Sequence, residues 1–124
     1  MAAGKQVGEF SLKAITLTFT PGPAGSTLVQ VNYEGTATGF GAVLGTATYV
    51  SAGMKSGTWS WCAGAYLDNG ESVTGTGQGT IESSGRHKWH TRGSLQISDG
   101  RSLGLEGEVD LTARSWSGTL FERS

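Results

Sequence analysis

The chain has few of the residues that crosslink a small protein or give it a strong charge. It contains one cysteine and two prolines, and nine basic against ten acidic side chains leave a net charge of −1. The lone Cys62 cannot form an internal disulfide, so the sequence predicts a reduced, cytoplasmic setting. A net charge so near zero provides no overall field for nucleic acid or anionic lipid, and neither partner is predicted.

Long apolar segments are also absent. No apolar run approaches the roughly 18 residues that a membrane helix needs, so no membrane partner is expected. Residues 1–10 contain no apolar core of a secretory signal. With 124 residues, the chain is expected to form a single domain, 1–124, which is long enough to bury a hydrophobic core.

Glycine is abundant instead, with 21 residues where an average protein has about 7%. The glycines lie among Thr, Val, Trp and Tyr, which favour strands, and no segment keeps the apolar spacing of a helix. Turn signals divide the chain into the runs 5–20, 26–38, 43–50, 57–67, 72–82, 86–97, 102–113 and 115–122. Long strands joined by short turns predict an all-β fold, an antiparallel up-and-down barrel of about eight strands with essentially no helix.

The stretch G85-R-H-K-W-H-T-R92 combines two histidines, a tryptophan and three of the cations. On a strand, alternate side chains point to opposite faces, which puts His87 and Trp89 inside and His90 outside. The two histidines then cannot share a metal, and Cys62 falls on the outer face of its own strand. We therefore predict no metal site and no cofactor.

The same alternation predicts how neighbouring strands align. A three-residue loop around Asp99-Gly100 keeps apolar residues opposite apolar ones, because a slip of one residue would exchange the two faces. This alignment sets Arg92 opposite Glu108 and His90 opposite Asp110 on the outer surface. Across the next strands, one inner row is predicted to be Trp61–Gly79–Trp89–Leu111.

Inward-facing aromatic and ionisable residues form the candidate ligand-binding site. An imidazole and phenols beside indoles could orient a ligand or move a proton. The alternative for His87 is a histidine at the barrel mouth that is satisfied by backbone and water. No catalytic residue is assigned, and the candidate residues are His87, Trp59, Trp61, Trp89, Tyr33 and Tyr49.

The spacing of the strands, together with the stretches E34-G-T-A-T-G-F-G41, G75-T-G-Q-G-T80 and G57-T-W59, resembles small avidin-like and lipocalin-like barrels. It is also similar to uncharacterised bacterial barrel families of similar length. In lipocalins a G-x-W opens the first strand, whereas here it lies mid-chain. The resemblance is one of architecture, and it carries over no site residue.

Three functions stay open. The favoured one is binding of a small apolar or aromatic molecule inside the barrel, since an eight-stranded barrel can hold one small ligand. The second is an isomerase- or cyclase-type enzyme in which a shaped cavity does most of the work. The third is a filled barrel that acts by self-association as a homo-oligomer. The volume inside the barrel distinguishes these functions.

Overall fold

Eight β-strands make up most of the molecule. The computed structural model describes residues 4–53 and 55–123. The strands are β1 (Gln6–Pro21), β2 (Thr27–Ala37), β3 (Gly41–Ala52), β4 (Ser56–Tyr66), β5 (Ser72–Gly85), β6 (Lys88–Ile97), β7 (Ser102–Asp110) and β8 (Ser115–Glu122). A three-residue 3-10 turn, Pro23–Gly25, joins β1 to β2. No helix in the described ranges is long and apolar enough to span a membrane.

The strands follow one another around a closed barrel. Each strand pairs in antiparallel fashion with the next strand in the chain, and β8 returns to pair with β1. Glycines with positive φ occupy the tight turns, as Gly39, Gly70 and Gly100 do, because a side chain is disfavoured in that conformation. The predicted antiparallel up-and-down barrel of eight strands is confirmed.

Apolar and polar side chains alternate along the strands as predicted. Inward positions such as Leu95, Leu103 and Leu105 are buried in a single core cluster. The outer face of β4 and β5 is exposed, and it carries the side chains Thr58, Ser60, Cys62, Thr74, Thr76, Gln78, Thr80 and Glu82. Alternation separates core from surface, and no α-helix among the described residues covers either face.

The loop between β6 and β7 has the predicted length but begins one residue earlier. The Ile97 amide donates to the Arg101 carbonyl oxygen, so the loop is 98–100 and Leu95 lies opposite Leu103. The alignment therefore differs by two residues from the predicted one. A shift of two keeps every side chain on its face, so the inward and outward assignments of these strands survive.

The outer cross-strand pairs move by the same two residues. Arg92 lies opposite Glu106, with its Nε 3.5 Å from Oε2, and His90 lies opposite Glu108. The predicted pairs of Arg92 with Glu108 and of His90 with Asp110 are therefore wrong. A basic stripe on β6 still faces an acidic stripe on β7, and such exposed pairs contribute about 0–1 kcal/mol each.

The β5–β6 hairpin extends further than predicted. Trp89 lies opposite Ser83 rather than Gly79, because β5 continues to Gly85 and residues 86–87 form the turn. The S-S-G signal was interpreted as the turn itself, whereas it is the end of a strand. The longer hairpin shifts the alignment by four residues.

His87 is consequently in the turn and not on the strand. It has a φ of 59°, it is exposed, and its carbonyl oxygen accepts from the Leu111 amide at 2.9 Å. The predicted inward position of His87 is therefore wrong. Trp89 does point inward and packs against the core, while His90 faces the outer charged stripe.

The inner row around β5 also differs from the predicted one. Trp59 faces Gly79 and Trp61 faces Gly77, and the observed row is Tyr49–Trp59–Gly79–Gly93–Leu105. A Cβ added to Gly79 would collide with the Arg92 carbonyl oxygen and lie 2.7 Å from the Gly93 Cα. The predicted principle of large residues beside small ones is correct, but the particular partners are shifted.

Candidate functional site

One tryptophan on the last strand fills the centre of the barrel. Trp116 is 1% exposed. Five aromatic rings surround it, with centroid distances of 5.2 Å to Trp59, 5.5 Å to Trp61, 5.6 Å to Phe10, 5.7 Å to Tyr33 and 6.1 Å to Tyr49. Most of these pairs meet edge to face, the arrangement that aromatic quadrupoles favour. We call these six residues the aromatic layer.

Two of the indoles and both phenols of the aromatic layer form hydrogen bonds within the barrel. Trp116 Nε1 donates to Thr91 Oγ1 at 2.9 Å, and Trp59 Nε1 donates to the Thr80 carbonyl oxygen at 3.1 Å. The Tyr33 and Tyr49 hydroxyls lie 2.9 Å apart and share a hydrogen bond. Within the described ranges, no buried side-chain nitrogen or oxygen lacks a partner. These bonds fix the ring orientations, because an unmade buried hydrogen bond is costly.

Burial keeps both phenols protonated. Desolvation raises the pKa of Tyr33 to about 12, against a smaller opposite effect of the hydrogen bond with Tyr49. Burial also raises the pKa of Tyr49, and the neighbouring Tyr33 adds to that increase. At neutral pH the pair can exchange hydrogen bonds, but neither phenol is suited to act as a base.

The aromatic layer separates two small cavities at opposite ends of the barrel. The first, which we call the Phe40 cavity, measures about 60 Å³. It lies at the end where β2 turns into β3 and β6 turns into β7. Its walls are almost wholly apolar, because Thr74, the one hydroxyl-bearing residue among them, carries its side chain on the exposed outer face of β5. The lining residues are Phe10, Leu12, Ala37, Phe40, Val43, Trp61, Ala63, Gly64, Ala65, Val73, Thr74, Gly75, Leu95, Ile97, Leu105, Trp116 and Leu120.

The second cavity, which we call the Trp89 cavity, measures about 70 Å³. It lies at the end where β1 turns into β2 and β7 turns into β8. Its rim includes the exposed side chains of Phe19 and Leu111. The lining residues are Leu17, Phe19, Val29, Val31, Tyr49, Ser51, Ser56, Ile81, Trp89, Val109 and Leu111.

The interior is therefore filled by side chains at its centre, and its empty volume lies near its two ends. An apolar cavity of about 150 Å³ is the size known to hold benzene. The Phe40 and Trp89 cavities, at about 60 and 70 Å³, are each less than half of that volume. A ligand larger than a few atoms can enter only if a side chain at one end moves.

Phe40 lines the first cavity from the turn between β2 and β3. It stands in a G-F-G turn between Gly39 (φ 80°) and Gly41 (φ 71°), yet it is buried. From outside, the Arg101 guanidinium lies 4.1 Å from the centre of the Phe40 ring, a cation–π contact. We call Phe40, together with the Arg101 guanidinium that lies against its ring, the Phe40 latch.

The loop between β6 and β7 positions Arg101 over the ring. Asp99 Oδ2 accepts from Arg101 Nε at 2.9 Å and lies 2.8 Å from Nη2, and Asp99 Oδ1 accepts from the Arg101 amide at 3.1 Å. These hydrogen bonds from Arg101 hold the pKa of Asp99 below its usual range. The carboxylate is thus charged near neutral pH and keeps the guanidinium in place.

The candidate site residues do not form one site. Tyr33, Tyr49, Trp59 and Trp61 all belong to the aromatic layer, and Trp61 also lines the Phe40 cavity. Tyr49 lines the Trp89 cavity, as Trp89 does. His87 lies outside both cavities, in the exposed β5–β6 turn.

Three important interior residues were missed from the sequence. Trp116 lies in the short final run, where the alternation Trp116, Gly118, Leu120 could have placed it inward. Phe10 has the same kind of signal in the alternation with Leu12. Phe40 has none, because a residue between two glycines is read as an exposed turn.

No group of three or more histidine, cysteine or acidic side chains in the described ranges could hold a metal ion. Comparison with known proteins gave no match among family models, curated proteins or solved structures.

Proposed function

We propose that the protein binds a small apolar or aromatic molecule at the Phe40 end of the barrel. The observation that carries this proposal is an apolar cavity lined by a buried aromatic side chain on a glycine-flanked turn. Eight-stranded barrels of this size can hold one small ligand, which is also what the resemblance to avidin-like and lipocalin-like barrels implies. The neutral phenols offer no base for catalysis, so binding is preferred to an isomerase or cyclase.

Entry requires the Phe40 latch to open. The G-F-G turn has the conformational freedom for this movement, because glycine on both sides of Phe40 can adopt backbone angles closed to other residues. Once the phenyl ring leaves, the space that it occupied joins the cavity of about 60 Å³. A single ring or a short branched chain is the class of ligand that fits.

The walls determine what kind of affinity to expect. Because Thr74 carries its hydroxyl on the outer face of β5, the cavity supplies shape and apolar contact but little direction, so ligands with charged groups are excluded. A ligand with few heavy atoms can gain only a few kcal/mol, and opening the latch reduces that gain. For toluene as a probe we expect a Kd of about 0.1–1 mM.

An NMR titration with toluene tests the proposal. We expect saturable shifts of the Phe40 amide and the Trp61 indole N–H, with smaller changes around Trp89. Gly75→Leu should abolish them, because a Cβ at Gly75 makes one close contact, at 3.0 Å with the flexible Ile97 Cδ1, and lies at an ordinary 3.5 Å from the Gln96 carbonyl oxygen, so the added side chain can fill the cavity. Val109→Phe, which fills the Trp89 cavity, is the matched control and should leave binding intact.

A second variant tests the latch. Arg101→Ala removes the cation over Phe40 and should strengthen toluene binding severalfold, since less free energy is needed to populate the open state. The proposal is wrong if neither the natural chain nor Arg101→Ala shows saturable shifts. It is equally wrong if the shifts persist in a folded Gly75→Leu variant.

A further inference from the structure

The strands at the Trp89 end are staggered, and the stagger leaves part of β1 with one neighbour. β1 pairs with β2 as far as Pro21, but with β8 only from Gln6 to Lys13. The Ala14 amide still donates to the Arg114 carbonyl oxygen at 2.9 Å. Beyond that bond, no strand in the described ranges pairs with the side of residues 16–21 that faces away from β2. We call this unpaired side the β1 edge.

The β1 edge offers backbone groups for a further strand. In an antiparallel ladder the N–H and C=O groups alternate between the two neighbours, so about half of those on the β1 edge have no strand partner. A bulge between Ala14 and Thr16 marks where the pairing with β8 stops, and the ladder with β2 is regular from Thr16 to Pro21. Water satisfies these groups in a monomer, and another chain could replace it.

The side chains around the β1 edge are unusually apolar for a surface. Phe19 is 60% exposed and Ile15 is 55% exposed. Leu111, in the turn between β7 and β8, is 37% exposed. From Ala14 to Pro21 the sequence A-I-T-L-T-F-T-P carries no charge. Protein sheets usually guard an open edge with lysine or an inward charge, and this edge has neither.

We propose that the β1 edge is a dimer interface, at which two copies of the chain pair antiparallel about a two-fold axis at Thr18. A two-fold interface must be complementary to itself. Pairing about Thr18 sets Leu17 opposite Phe19 and Thr16 opposite Thr20 in both copies. Apolar residues then meet on the inner side, threonines meet on the outer side, and no like charges are opposed.

A second copy suits this edge better than an unrelated peptide. The alternation of threonine with apolar residues is symmetric about Thr18, which a heterologous partner would not require. The pairing would also cover Phe19, which a monomer leaves exposed beside the Trp89 cavity. Some six residues a side is less than a standard interface of about 20–30, so the dimer should be weak and dependent on concentration.

Sedimentation velocity over about 10 μM to 1 mM tests the proposal. The natural chain should shift from monomer to dimer across this range. Thr18→Lys should abolish the shift, because it opposes two lysines at the axis while its exposed position keeps the fold intact. Thr76→Lys is the matched control, since Thr76 is an exposed threonine on a strand paired on both sides, and it should dimerise normally.

A charge exchange tests the register. Thr18→Glu alone should also be monomeric, and an equimolar mixture with Thr18→Lys should recover the dimer. A natural chain that stays monomeric at 1 mM would overturn the proposal, as would a dimer that survives Thr18→Lys. Monomers whose Leu17 and Phe19 amides become protected only when an uncharged extended peptide is added would overturn it in favour of a different partner. The toluene titration at the Phe40 end is independent of all these outcomes.

Discussion

The two ends of the barrel are built from the same strands, yet a phenylalanine is buried at one end and exposed at the other. Phe40 at one end is 6% exposed, whereas Phe19 at the other is 60% exposed. Phe40 stands in a turn and folds back over the interior, under Arg101. Phe19 stands within a strand, opposite Val29 of β2, and in residues 4–53 and 55–123 no strand pairs with its other side. The strand residue is therefore the more exposed of the two.

The difference lies in the stagger of the strands. At the Phe40 end, the G-F-G turn reaches back over the interior and closes the cavity. At the Trp89 end, β1 continues past the start of β8 and leaves an edge with its apolar side uncovered. Period-two alternation decides which side chains point inward, but strand register decides which inward side chains are covered. We therefore propose ligand binding at the Phe40 end and association at the Trp89 end.

The largest expected effect comes from removing Trp116, the ring at the centre of the aromatic layer that separates the two cavities. Trp116→Ala should lower the free energy of unfolding by about 3–5 kcal/mol, because it deletes the ring that the other five contact. It should also join the two cavities and leave Thr91 Oγ1 without its indole donor. Urea unfolding measures the first effect, and binding of a two-ring probe such as naphthalene measures the second.

Trp116→Phe is the control for that change, since it keeps a ring and loses only part of the volume. It should be less destabilised and should not bind naphthalene. Equal losses of stability in Trp116→Ala and Trp116→Phe would mean that the indole hydrogen bond, rather than packing, carries the contribution of this residue.

A matched pair of substitutions sharpens the comparison of the ends. Phe40→Ala should cost about 2–4 kcal/mol, because the ring is buried against the core. Phe19→Ala should stay within about 0.5 kcal/mol at low protein concentration, since most of that ring is already in water. Melting curves of both variants at the same concentration measure the difference. Similar losses for the two would contradict the assignment of a closed and an open end.

The two-residue alternation of side chains along a strand explains how much of the fold could be predicted. The alternation along β6 and β7 separated Leu95 and Leu103 from Arg92 without any knowledge of the turn. An error of two residues in register did not change those faces, so the barrel and the inward and outward faces of these two strands were predicted correctly. The partners were not, because turn residues such as S-S-G fix the start of a hairpin only to within a few residues.

The candidate site was harder to predict because it depends on those partners. His87 was placed inside by a period that holds only within a strand, and the strand begins one residue later. The aromatic layer needs Trp116 to lie beside Trp59 and Trp61, a contact between strands far apart in the sequence. No local pattern contains that information, which depends on how the barrel closes.

The smallest effect expected is a pH dependence from the tyrosine pair. The pKa of Tyr33 rises to about 12 and that of Tyr49 rises as well, so the folded chain holds phenol protons that the unfolded chain releases near pH 10. The stabilising contribution of the neutral pair is therefore complete below pH 10 and lost as pH rises toward 12. The loss should be about 1.4 kcal/mol per pH unit for each phenol.

Unfolding of a Tyr33→Phe/Tyr49→Phe double variant, measured between pH 9 and about 11.5, should lack this decline, and the double change avoids leaving one hydroxyl unpaired. Tyr66→Phe, which changes an exposed tyrosine outside the pair, is the matched control. A double variant that keeps the full decline would show that other groups govern the alkaline stability of the barrel.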